Sequence, residues 1–247
     1  MPRESTTDRR KRARRIAKKL FAAHPDATIA LSFRNPFELI CATVLSAQCT
    51  DERVNKTTPA LFERFPDARS MAGASPDELE NLIRSTGFYR AKARSLLGLA
   101  SAITTAHRGV VPKTMEELVE LPGVGRKTAN VVLGNAYGTP GIVVDTHVRR
   151  VSGRLELTAS DDPVEIESDL MQLIERADWT MFSHAMIFHG RRICIARKPK
   201  CPECPLLDDC PFPKRAGIAV APDRVAGRTD PRAPTRSAGG AKRKIPS

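Results

Sequence analysis

No apolar run in the sequence approaches the ~18 residues that a membrane span requires. The opening stretch "PRESTTDRRKRARRIAKKL" has no apolar core segment, which argues against a secretory signal and leads to the expectation of a cytoplasmic, nucleoid-associated protein. Short strands at regular spacing are missing and no internal repeat is found, so the expected fold class is all-α. Acids are missing from two long stretches. Asn81–Met115 holds Arg84, Arg90, Lys92, Arg94, Arg108 and Lys113 without one, and Arg191–Lys200 holds five cations without one.

The formal charge of +12 is unevenly placed. Residues 1–19 carry +7, residues 216–247 carry +5, and the span between them is neutral. Basic tails of this kind read as solvated or disordered. Within the neutral span, eight acids against one Arg176 fill Glu156–Asp178. Such segregation predicts one positive and one negative face, a pattern that points to a nucleic-acid partner.

Helix signals recur along the chain. Asn35 with Pro36 opens "NPFELICATVLSAQ", and Ser75, Pro76 and Glu78 form a capping box that starts a helix stopped at Gly87. Further amphipathic segments cover "DRRKRARRIAKKLFAAHP", "TDERVNKTTPALFERF", "YRAKARSLLGLASAITTAHRG", "DPVEIESDLMQLIERAD" and "WTMFSHAMIFHGRRIC". "IVVD" reads as a short extended run. The last ~30 residues, rich in Pro, Gly, Ala and Arg, are expected to be disordered.

Four of the six cysteines, Cys194, Cys201, Cys204 and Cys210, lie within seventeen residues. In a reducing compartment they indicate a metal site in place of disulfides. The spacing C-x6-C-x2-C-x5-C leaves zinc and iron–sulfur both open. Cys41 and Cys49 read as small buried residues, with Cys49 alternatively an exposed, oxidisable thiol.

Residues 117–134, "ELVELPGVGRKTANVVLG", read as two short helices joined through Gly123, Val124 and Gly125. The glycines permit close approach, and the amides of Val124, Gly125 and the following turn are expected to face outward as a phosphate site. A tight turn that merely packs two helices is the alternative. Lys127 sits in the first turn of the second helix, where the dipole, aided by burial, favours a neutral amine fit for Schiff-base chemistry. A simple phosphate grip is equally compatible. Asp145 in "VVDTHV" is expected at the edge of the core, as the N-cap of the next helix and as a carboxylate able to activate an amine. His147 reads as structural.

Taken together, "LPGVGRKTANVVL", the aspartate of "VDTHV" eighteen residues after the lysine, "LSAQ-x-TD-x-x-VN" and the cysteine spacing resemble the endonuclease III family. These are DNA glycosylase/AP lyases of the helix–hairpin–helix superfamily, and the similarity spans about residues 10–212.

The resemblance implies two helical lobes flanking a DNA cleft. A six-helix lobe would occupy 28–140. Residues 1–27 and 141–215 would form the cluster lobe, and 216–247 a basic tail. It implies a [4Fe–4S] cluster on the four cysteines and a monomer acting on damaged double-stranded DNA. Lys127 and Asp145 would be the catalytic pair, removing oxidised pyrimidines of the thymine glycol type and cutting the strand by β-elimination.

Gln48 would fill the gap left by a flipped nucleotide. Phe88, at a position where leucine is common in the family, would wedge the stack; its alternative is a core aromatic packed on Leu96. Arg197, Lys198 and Lys200, in the first gap of the cysteine loop, would offset the cluster's charge and reach DNA phosphates. Adenine glycosylases of the same superfamily share the cysteine spacing but lack a lysine at the position of Lys127. A non-enzymatic DNA-binding module with a structural metal would leave Lys127 and Asp145 unused.

Overall fold

The computed structural model describes residues 4–220. Twelve α-helices account for the regular structure apart from short 3₁₀ turns, and no strand occurs among the described residues. They are α1 (Thr6–Ala23), α2 (Pro36–Leu45), α3 (Asp51–Arg64), α4 (Ala68–Ala72), α5 (Pro76–Ile83) and α6 (Tyr89–Ala106). The remainder are α7 (Met115–Val119), α8 (Arg126–Ala136), α9 (Thr146–Arg154), α10 (Pro163–Leu173), α11 (Trp179–Arg192) and α12 (Phe212–Arg215). "IVVD" is irregular and forms no strand. The expected basic tail begins after α12; from residue 221 on it lies outside the described residues.

Local chemistry sets most helix starts. Side-chain oxygens of Ser5, Asn35, Thr50, Asp67, Ser75, Thr114, Asp145 and Asp162 each accept an amide of the following first turn. One expected cap is only half made. Ser75 accepts the Glu78 amide, but the Glu78 carboxylate turns away to Arg64 at 2.5 Å, so the box is not closed. The closed capping box is at Asp67 and Ser70, opening the short α4 that the sequence pattern did not separate from its neighbours.

Apolar side chains segregate into two cores. The first runs from Leu31 to Leu133, is built by α2–α8, and includes Leu39, Leu61, Leu96 and Ile103. The second combines Ile16 and Leu20 of α1 with Ile142 from the segment before α9 and with Val148, Ile166, Leu170, Phe182 and Met186 from α9–α11. The chain therefore crosses between cores twice, before α2 and after α8.

Close approach at the crossings depends on small residues. A Cβ on Gly134 of α8 would stand 2.8 Å from Thr180 Oγ1 of α11. The N-terminal basic segment is not a free tail over its described part. Arg12 donates to the Leu155 and Asp209 carbonyls, and Arg15 and Lys19 pair with Asp209, tying α1 to the cysteine loop. Burial acts to raise the Asp209 carboxyl, and the Lys19 and Arg15 bonds overcome it, holding the group below the usual carboxylate range.

Candidate functional site

A solvent-open cavity lies between the two cores. Its first wall comes from Ser46, Ala47 and Gln48 after α2, Asp51 of α3, and Lys127 and Thr128 of α8. Asp145 faces it from the second core, with His184, Phe188 and Arg191 of α11. Lys127 and Asp145, eighteen residues apart in sequence, thus line one space.

Lys127 reaches the cavity because α8 starts immediately before it. The hairpin from α7 turns through Gly123, which adopts φ +78° and lies so near α6 that a Cβ would sit 2.8 Å from Ser95 Cβ. Glycine is required there on both counts. Gly125 is the N-cap of α8 and supplies no capping side chain, and the amides of Arg126, Lys127 and Thr128 make no hydrogen bond among the described residues. That leaves an anion-receptive helix end.

Two expectations for this hairpin are corrected. The Val124 amide does not face outward: it donates to the Leu121 carbonyl at 3.0 Å, and its side chain is only 6% exposed in the first core. Lys127 is exposed instead of buried, since it stands on the first turn of α8 at the cavity wall.

Asp145 is half-buried and caps α9. Its Oδ1 accepts the amides of both His147 and Val148 at 2.8 Å, and Oδ2 makes no hydrogen bond among the described residues. The cap fixes the carboxylate's direction and leaves one oxygen for chemistry. His147 packs under Gly190 of α11 and contacts Arg150 at 3.1 Å, a structural position. His184 Nε2 meets Asn135 Oδ1 at 2.9 Å, and burial lowers its pKa below the ordinary histidine value.

Gln48 and Phe88 sit on exposed loops. Gln48 lines the cavity with φ +52°, and Phe88 is 67% exposed with φ +48°. Left-handed backbone in residues with a Cβ costs energy and concentrates where function demands it. Phe88 accordingly does not pack on Leu96 as a core aromatic. Cys41 is fully buried, and Cys49 is half-buried against the first core.

The basic stretches differ in space from their appearance in sequence. Lys92 is buried. Arg191 pairs with Asp51 at 3.0 Å, and Arg192 grips Asp26 through two bonds of 2.9 and 2.6 Å. Arg197, Lys198 and Lys200 are exposed and have no acidic partner among the described residues.

Cys194, Cys201, Cys204 and Cys210 all line a second, smaller pocket, together with Val151, Leu155, Ile193, Leu206 and Phe212. No three His, Cys, Asp or Glu side chains among the described residues converge as ligands of a single ion would, these thiols included. Four thiols lining one pocket suit a multi-atom cluster better than one tetrahedral zinc. Burial pushes the Cys204 thiol up to about 12 and raises Cys201 and Cys210 as well. Thiols in such surroundings ionise when a bound metal supplies the opposing charge.

Arg154, which sequence alone did not single out, organises the loop. Its guanidinium donates to Cys194 Sγ at 3.2 Å and to the carbonyls of Ile195 and Ala196, and it covers the Phe212 ring. Arg150 adds a bond to the Cys194 carbonyl. Only proximity in the fold distinguishes these two from other arginines of α9.

Comparison with known proteins gives a consistent assignment. Residues 41–176 match the HhH-GPD superfamily of base excision DNA repair proteins, and residues 194–210 match the iron–sulfur binding domain of endonuclease III. Endonuclease III of Synechocystis sp. is 55% identical over 197 residues, covering 79% of this chain and 89% of that protein. The Escherichia coli K12 enzyme is 37% identical over 203 residues, covering 82% and 96%.

A solved structure described as a trapped endonuclease III–DNA covalent intermediate superposes with a TM-score of 0.80 at 45% identity, covering 84% of this chain and 98% of that one. A thermostable thymine-DNA glycosylase, at 21% identity and a TM-score of 0.77, shares the fold. No helix among the described residues is long and apolar enough to cross a membrane. The matched iron–sulfur domain spans all four cysteines, the cofactor is a [4Fe–4S] cluster, and the chain belongs to the endonuclease III family of base excision DNA repair proteins.

Proposed function

We propose that this enzyme, a bifunctional DNA glycosylase and AP lyase, removes oxidised pyrimidines of the thymine glycol type from duplex DNA through a Schiff base on Lys127. The observation that carries the reading is that Lys127 and Asp145, belonging to different cores, line one open cavity. A base must leave the stack before its C1′ can be reached.

The Lys127 amine attacks C1′, the bond from C1′ to the base breaks, and its electron pair leaves with the base, which takes up a proton. Asp145, aimed by its cap, accepts the proton that the amine loses and stabilises positive charge on the sugar. Opening of the sugar yields an imine. The imine acidifies the C2′ proton, and loss of that proton expels the 3′ oxygen and cuts the strand. A covalent adduct trapped with DNA in a 45%-identical relative supports this route.

The α8 amides and Gly123–Gly125 would hold a phosphate, with Val124 serving the turn by packing. Arg197, Lys198 and Lys200 would hold another phosphate, while Gln48 and Phe88 would enter the stack. The division of labour follows the two cores. Residues 28–140 would supply the nucleophile and the inserting loops, and residues 1–27 with 141–215 would supply Asp145 and the cluster loop. Four thiolate–iron bonds, when the cluster is bound, cross-link that loop. We read the protein as a monomer acting on nucleoid DNA in the cytoplasm.

Borohydride trapping on thymine-glycol and abasic duplexes tests the mechanism. Wild type should form a covalent adduct and Lys127→Ala none; an adduct that persists in Lys127→Ala overturns it. A panel of oxidised-base duplexes tests the substrate, and equal rates on oxidised purines would sink the pyrimidine assignment.

A further inference from the structure

Lys92 belongs by sequence to a run of surface cations, yet it is 6% exposed. Its ammonium donates to the Leu45 carbonyl and to the Thr86 carbonyl, both at 2.8 Å, and no carboxylate pairs with it among the described residues. Burial lowers its pKa from the ordinary lysine value. An unpaired buried cation is costly, and a methionine or leucine would fill the same space without desolvation.

The two carbonyls explain the choice. Leu45 ends α2, three residues before Gln48. Thr86 ends a 3₁₀ turn, Arg84–Thr86, two residues before Phe88. Both are helix-terminal acceptors, where a cation is favoured. The Lys92 amide makes the first helical bond of α6, to the Phe88 carbonyl at 3.1 Å, which seats the ammonium next to the Phe88 turn. Gln48 and Phe88 are two of the four non-glycine residues with positive φ among the described residues, and both loops hang from carbonyls fixed by one nitrogen.

We propose that Lys92 is a positioning residue that couples the Gln48 and Phe88 loops, so that the two side chains enter the DNA stack as one rigid unit. The proposal rests on the reading of Gln48 and Phe88 as inserting residues. Pre-organisation of this kind lowers the cost of ordering two loops at the moment of insertion. Direct contact between the loops is not needed, because each is referred to the same ammonium.

The test compares single-turnover excision of thymine glycol opposite adenine with excision opposite an abasic residue, where no pair has to be broken, using cluster-loaded full-length protein. Lys92→Met should lose about tenfold more rate on the paired substrate than on the unpaired one, a difference in transition-state stabilisation specific to extrusion. Fluorescence of a 2-aminopurine beside the lesion should fall in parallel. In a Phe88→Ala background the same substitution should cost much less, as coupled residues do in a double-mutant cycle.

Equal losses on both substrates mean that Lys92 only maintains the fold, and they overturn the proposal. If Lys92→Met does not fold, Lys92→Gln, which retains donors, is read on the same pair of substrates. Gln48→Ala and Phe88→Ala separate the two levels. If they too lose equally on both substrates, the insertion reading fails. If they show the skew and the Lys92 variant does not, the coupling alone fails.

Discussion

Arg126 Nε and Nη2 meet the Glu167 carboxylate at 2.7 and 3.0 Å, joining the first turn of α8 in one core to α10 in the other. Asn130 adds a bond to the same carboxylate at 3.0 Å and another to the Ile142 carbonyl. Since Lys127 follows Arg126 and Asp145 lies three residues beyond Ile142, this cluster sets the spacing of the proposed catalytic pair. The Glu167 side chain is 5% exposed and that of Arg126 47%, so the pair is half screened. Arg126→Ala should cost about 2 kcal/mol, less than the full penalty of a stranded buried carboxylate. Urea unfolding measures that loss, and the trapping rate should fall with it; unchanged values for both would separate the clamp from the site.

Substitution can divide the helix cap made by Asp145 from its proposed catalytic role. Asp145→Asn keeps an oxygen for the His147 and Val148 amides, whereas Asp145→Ala loses the cap at about 1 kcal/mol. Both variants should lose roughly 10²–10⁴-fold in single-turnover rate, as removal of a proton acceptor does. Near-normal turnover in Asp145→Asn would reduce this residue to a helix cap.

Gly123→Ala should destabilise the protein by about 2 kcal/mol or more, from left-handed strain plus the clash with Ser95. Adding Ser95→Gly should restore the steric share and leave the strain. Full rescue by Ser95→Gly, measured by thermal unfolding, would show that the backbone conformation costs nothing.

Burial holds His184 below the ordinary histidine pKa, beside Asn135 and in a cavity with Lys127, Asp145, Asp51 and Arg191. Its folded value lies below its unfolded one, so as pH drops below about 6.5 the unfolded chain gains a proton that the folded chain refuses. Stability should therefore fall with decreasing pH until the folded-state value is passed. His184→Gln, which can keep the Asn135 bond, should flatten this acid limb. An identical slope in the variant would assign the limb to other groups.

Replacing Arg197, Lys198 or Lys200 by alanine should lower the slope of log K against log salt by about 0.9 each on an abasic-analogue duplex. Arg192→Ala should change the slope less, because Asp26 already neutralises that cation. Equal effects at all four positions would argue that the ion pair opens on DNA.

Helix starts were legible because capping is local: Asn35 and Ser75 reach amides only three residues ahead. The Val124 amide departs from the sequence expectation because the same turn that exposes the glycines uses it internally. The capping role of Glu78 failed because Arg64, fourteen residues earlier in sequence, offers its carboxylate a charged donor. Arg154, Arg126 and Glu167 carry no local signal; their partners lie 37 or more residues away.

By itself the sequence determined the all-helical class, the helix caps at Asn35, Ser75 and Asp145, the Gly-x-Gly hairpin before Lys127 and the four-thiol loop. Each depends on residues a few positions apart and so survives without knowledge of packing. The tertiary structure decided which cations are available. It buries Lys92 under two loops, spends Arg12, Arg15, Lys19, Arg150 and Arg154 on the cysteine loop, pairs Arg191 and Arg192 with acids, and leaves Arg197, Lys198 and Lys200 exposed. It also brings Lys127 and Asp145 to one cavity. Burial and ion pairing belong to neighbours in space, and two separately packed cores bring those neighbours together from distant parts of the chain.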